Sequence, residues 1–126
     1  MDTTTLGKIY DSGQIIFNRG EPGNCMYVIQ SGDVEIVREL DGKEVRIAVR
    51  REGDFFGEMA IFEQETRMAT VRALTQATIL TVDKKSLLRR FQQDPSLAFR
   101  IVETMSKRIR EMTEQVLSHG TKGKDI

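Results

Sequence analysis

Gly53-Asp54-Phe55-Phe56-Gly57-Glu58-Met59-Ala60-Ile61-Phe62-Glu63-Gln64-Glu65-Thr66-Arg67-Met68-Ala69-Thr70-Val71-Arg72-Ala73 holds a glycine, a carboxylate, a short segment of helical propensity and an arginine nine residues after that carboxylate. Backbone N–H groups at the start of a short helix lack intrahelical acceptors and attract anions. Arg67 adds a planar, permanently charged fork that fits a phosphate. Glu58 accepts hydrogen bonds from hydroxyls and repels a phosphate placed beside it. The two groups therefore suit opposite ends of one small ligand, anionic at one end and rich in hydroxyls at the other. The same pair also fits a structural ion pair closing a loop, with Gly57 as a turn residue.

Outward from this run, the first 83 residues read as short strands. Lys8–Tyr10 and Gln14–Phe17 are split by Asp11-Ser12-Gly13, and Arg19-Gly20-Glu21-Pro22-Gly23-Asn24 is a loop. Met26–Gln30 and Val34–Leu40 are strands separated by Ser31-Gly32-Asp33. Asp41-Gly42 is a hairpin signal, because a primed turn needs positive φ at its centre. Val45, Ile47 and Val49 alternate with Glu44, Arg46 and Arg50, which predicts one buried and one wet face. Ala69–Leu74 and Ala77–Val82 are two further strands. Seven or eight short strands with closely spaced turns indicate an all-β sandwich or barrel. The missing crossovers exclude a doubly wound α/β sheet.

At Asp83 the period changes. Leu87, Leu88 and Phe91 share a helical face, with Asp83 as N-cap. Asp94-Pro95 ends that helix and starts the next, which runs to about Ser118. Val102, Met105, Ile109, Met112 and Val116 recur at steps of 3, 4, 3 and 4, the seam of a coiled coil. The alternative is a helix packed on its own barrel. Residues 119–126 read as a loose tail.

Composition narrows the function classes. Lys and Arg balance Asp and Glu at 19 each, so no overall charge draws the chain to nucleic acid. The balance is uneven: residues 1–83 carry 9 basic and 14 acidic side chains, residues 84–126 carry 10 and 5. The single cysteine, Cys25, allows no internal disulfide, and a reducing cytoplasm is the expected compartment. No run approaches the roughly 18 apolar residues of a membrane span. Metal binding and catalysis lack their residues: His119 is the one histidine, Cys25 reads as buried and inert, and Glu63 and Glu65 read as solvated charge.

Three blocks carry a family resemblance: Gly20–Val34, Gly53–Ala60 and Arg67–Ala73. They resemble the cyclic-nucleotide-binding domain of catabolite-activator-type regulators, cyclic-nucleotide-dependent kinases and gated channels, and the last two are similar to its phosphate-binding cassette. The likeness covers roughly residues 8–117. It implies an eight-stranded jelly-roll β-barrel over about residues 8–83, followed by two α-helices over about 84–118, in a single domain. It implies that Glu58 accepts from the ribose 2′-hydroxyl with the Gly57 backbone close by, that Met59 and Ala60 offer amides to the cyclic phosphate, that Arg67 pairs with that phosphate, and that Met68 adds a backbone donor. Cyclic-GMP-selective members often place Thr after the arginine; Met68 lacks the hydroxyl that bonds the guanine amino group, so cAMP is expected over cGMP. In the catabolite-activator group two adjacent hydroxyl residues on the last helix touch adenine. Matching the helices puts Met112 and Thr113 there, and only Thr113 keeps a hydroxyl.

The resemblance thus implies a non-enzymatic sensor with a cyclic nucleotide as ligand, no cofactor or metal, no membrane, no nucleic acid contacted by this chain, and a homodimer through the last helix. The chain has no room within it for a helix-turn-helix, kinase or channel segment, so it reads as a stand-alone sensor or as one domain of a longer protein. The rival reading is a jelly-roll interaction domain that binds no nucleotide and acts through its helical dimer seam.

Overall fold

The change of period at Asp83 marks a change of architecture. The computed structural model describes residues 6–120. It divides into two compact units that part after Leu87.

The first unit contains eight strands: β1 (Lys8–Tyr10), β2 (Ile15–Phe17), β3 (Cys25–Ser31), β4 (Val34–Leu40), β5 (Lys43–Arg50), β6 (Phe55–Phe56), β7 (Thr70–Ala73) and β8 (Ala77–Asp83). A short helix, α1 (Met59–Phe62), lies between β6 and β7. The strands form two antiparallel four-stranded sheets, ordered β1-β8-β3-β6 and β2-β7-β4-β5. One apolar cluster joins them: Tyr10, Ile29, Phe56, Ala77 and Ile79 come from the first sheet, and Phe17, Val34, Val71 and Ala73 from the second. Two sheets over one core are consistent with the expected eight-stranded jelly roll; among the described residues no ladder joins one sheet to the other.

Local chemistry sets several boundaries as the sequence predicts. Asp41 and Gly42 both have positive φ, 53° and 76°, which is the primed turn that lets β4 and β5 pair with right-handed twist. The Asp83 carboxylate accepts from the Ser86 N–H at 2.7 Å, capping α2 (Lys84–Gln93). Three expectations need correction. The two-residue strand β6 is too short to leave an alternating pattern and was not predicted. Leu88 is exposed although Leu87 is buried, because adjacent helical residues point about 100° apart. Val45 and Ile47 do not lie on a buried face: they are 39% and 47% exposed. Their strand β5 lies at the edge of its sheet, and alternation reports that a strand has two faces without reporting what covers them.

The second unit begins at Leu88 and includes the long helix α3 (Ser96–Gly120). Asp94 and Ser96 secure its start, where Arg100 donates to the Ser96 hydroxyl at 2.6 Å and to Asp94 Oδ2 at 3.1 Å. Leu97 and Ile101 are buried. Val102, Ile109, Met112 and Val116 are each 62–64% exposed in the single chain. The tail expected from residue 119 lies outside the described residues from 121 onward, and α3 runs to Gly120.

Candidate anion-binding site

β6 sets the site by pairing with β3, with Phe56 opposite Tyr27 and Phe55 opposite Val28, and both phenylalanines are buried. The chain then turns at Gly57, whose φ of 74° is in the left-handed region that favours glycine. A Cβ at Gly57 would also stand 2.8 Å from Arg67 Nη1. Glu58 has helical dihedrals, and its carbonyl accepts from the Ile61 and Phe62 N–H groups at 3.0 and 3.1 Å. Ala60 and Ile61 are buried and anchor α1, leaving Met59 and Phe62 at the surface. A helix start of this kind points N–H groups outward without intrahelical acceptors.

Arg67 is only 6% exposed, yet it is a full positive charge. Nη1 donates to Gly57 O at 2.7 Å, and Nη2 donates to Cys25 O at 3.0 Å with a longer contact to Cys25 Sγ at 3.7 Å. Its Cζ lies 4.2 Å from the centroid of the Phe17 ring and 5.5 Å from that of Tyr27. The backbone is fixed as well: Arg67 N donates to Glu21 O at 2.9 Å, and Gly20 N donates to Arg67 O at 2.8 Å. The loop at 19–24 is therefore the frame that holds this arginine. Two backbone carbonyls, the Cys25 sulfur and two ring faces surround the guanidinium. Tyr27 stays a neutral phenol, since burial and then the neighbouring Cys25 push its pKa up to about 12. A buried cation with these partners has the chemistry to pair with an anion.

The structure brings Gly57 and Arg67 into direct contact and places Glu58, Met59 and Ala60 on the turn that follows Gly57. Met68 is exposed beside the buried arginine. Thr113 belongs to the other unit, where it is exposed and donates its hydroxyl to Ile109 O at 2.9 Å, an ordinary local bond for a helical threonine. Its role rests on the resemblance alone. Sequence reasoning missed Phe17, Gly23, Cys25 and Tyr27. Cys25 is half-buried, and it is tied to Arg67 through its carbonyl and sulfur across 42 positions of sequence. The two glycines of the 19–24 loop were the only local hint that something packs closely there. Glu63 and Glu65 are exposed, as expected. No group of three or more His, Cys, Asp or Glu able to hold a metal ion occurs among the described residues.

Comparison with known proteins places these features in context. The family model described as the cyclic nucleotide-binding domain matches residues 8–94. A putative potassium channel protein from Rhodopseudomonas palustris is 36% identical over 100 residues, which covers 78% of this chain and 24% of that protein. The cAMP-activated global transcriptional regulator CRP of Salmonella typhimurium is 29% identical over 109 residues, covering 85% of this chain and 52% of the regulator. Among solved structures, the EAL enzyme Bd1971 superposes in its cAMP-bound form with a TM-score of 0.63 and in its cGMP-bound form with 0.64, each at 32% identity. These cover 86% and 88% of this chain and 30% of that enzyme. The chain thus spans between a quarter and about half of the length of the two curated relatives described here.

Proposed function

The chain belongs to the cyclic nucleotide-binding domain family, and on that premise we propose that it is a cAMP sensor whose ligand is gripped at both ends by the segment from Gly57 to Met68. Arg67 takes the cyclic phosphate, aided by the amides of Met59 and Ala60 and the backbone N–H of Met68. Glu58 takes the ribose 2′-hydroxyl beside the Gly57 backbone. The observation that supports this most is the contact between Arg67 and Gly57 O at 2.7 Å: it ties the buried cation to the turn that carries the hydroxyl acceptor. Met68 supports cAMP over cGMP, since it has no hydroxyl for a guanine amino group. Thr113 on α3 is the proposed adenine contact.

Ligand that binds one arrangement of the helices α2 and α3 better shifts their population. The output passes to a second copy through the exposed Val102, Ile109, Met112 and Val116 stripe, and from there to an attached or separate partner. No catalytic step is assigned to the chain. Calorimetric titration with cAMP and cGMP tests the reading. Binding of cAMP at lower concentration than cGMP is expected; heats of dilution alone for both nucleotides with folded protein would sink it and favour the interaction-domain reading. Hydrogen exchange along α3, slowed or quickened on adding cAMP, tests the transmission.

A further inference from the structure

We propose that Phe17 and Gly23 are positioning residues for Arg67: they hold its guanidinium in the anion-receiving pose before any ligand arrives. The inference rests on the reading of Arg67 as the phosphate-binding group. Two carbonyls, of Gly57 and Cys25, fix the end of the fork. They do not by themselves fix the plane of the guanidinium. Phe17 supplies a face for that plane, with Arg67 Cζ 4.2 Å from its centroid, a cation–π distance. The ring is itself immobilised. It ends β2, where Phe17 pairs with Val71, and it packs on Tyr27 at 5.7 Å and on Phe56 at 6.0 Å between centroids.

Gly23 closes in on the same group. A Cβ built there would stand 2.4 Å from Arg67 Nε, 2.5 Å from Cζ and 2.7 Å from Nη2. Gly23 is not among the positive-φ glycines, so its backbone conformation is open to any residue. What position 23 requires is space, and the guanidinium fills it. An alanine methyl there displaces the flexible end of Arg67 and leaves the loop backbone unstrained. With the arginine pre-set in this way, the ligand does not have to order a long side chain on binding.

The test uses the full chain and two readouts. The first is calorimetric affinity for cAMP in wild type, Phe17→Leu, Phe17→Tyr and Gly23→Ala. Phe17→Leu is expected to weaken binding roughly two- to thirtyfold, the range of a cation–π contact, and Gly23→Ala to weaken it as well by displacing the guanidinium, whereas Phe17→Tyr keeps the ring face and the affinity. The second is the Arg67 Nε–H resonance of the ligand-free protein, assigned by its loss in Arg67→Lys. It is expected to carry a ring-current shift that Phe17→Leu and Gly23→Ala reduce and Phe17→Tyr preserves. The Gly23→Ala loop variant keeps the test decisive where Phe17→Leu disturbs the core. Wild-type affinity in both Phe17→Leu and Gly23→Ala, or equal losses in Phe17→Leu and Phe17→Tyr, overturns the inference while the cAMP reading stands. Wild type that binds no cyclic nucleotide, with the resonance still moving as described, sinks the cAMP reading and supports the positioning.

Discussion

Arg67 holds two backbone carbonyls in the fold, and the phosphate role proposed for it has a separable signature. As a donor it satisfies the carbonyls of Gly57 and Cys25 in a place where water has little access. Removing it leaves both acceptors unpaired, at about 1–3 kcal/mol for a buried polar group. Arg67→Ala is therefore expected to lower the melting temperature of the ligand-free protein by several degrees, and also to abolish the rise in melting temperature that is expected of the wild type on adding cAMP. A variant that melts lower but keeps the full ligand-induced rise would contradict the phosphate role and leave the structural one. Met68 offers a second test at this scale. Its side chain is exposed beside the site, so Met68→Thr can be made with little cost to folding. It is expected to raise cGMP affinity relative to cAMP in competitive titration.

At the scale of elements, the second sheet is tied across its strands by charge. Glu35 on β4 is buried and pairs with Arg46 on β5 at 3.0 Å and with Arg72 on β7 at 2.8 Å; Arg72 also pairs with Glu44 on β5. The hydrogen bond from Arg72, more than that from Arg46, holds the Glu35 carboxyl below its ordinary pKa. A depressed carboxylate pKa adds stability that is present above the unfolded value, about 4.3, and is lost as pH falls through the folded one. Glu35→Gln is thus expected to lower the melting temperature at neutral pH and to flatten its decline on acidification below about pH 4. Thermal melts between pH 7 and pH 2.5 check both. Elements were legible in the sequence where their signal is local. The Asp41-Gly42 turn and the Asp83 cap each need only a few neighbouring residues, and both are found. Exposure of β5 was not legible, because alternation reports that a strand has two faces and not what covers them. The site divides the same way. Gly57, Glu58 and Arg67 lie in one short segment, so their spacing alone marks them as candidates. Phe17, Gly23 and Tyr27 join them only through the pairing of distant strands, and each also suits an ordinary core or loop position.

At the scale of the molecule, the sheets and the long helix are two units, and α3 leaves an apolar stripe uncovered in the single chain. Apolar side chains at heptad spacing bury themselves against a like helix. Self-association is expected by light scattering, and Ile109→Glu, which puts a charge in the middle of the stripe, is expected to return the protein to monomer. Ligand saturation should stabilise the whole fold by mass action, by about 2.7 kcal/mol at a hundred times the dissociation constant. One aromatic contact lets such occupancy be read without a label. The chain has no tryptophan and two tyrosines. Tyr27 lies stacked on Phe56 at 5.2 Å and 5.5 Å from the Arg67 charge. An anion set against that charge alters the field at Tyr27. The protein therefore carries its own optical gauge, and its native ultraviolet emission is expected to change in step with cAMP added, and to stay flat in Tyr27→Phe.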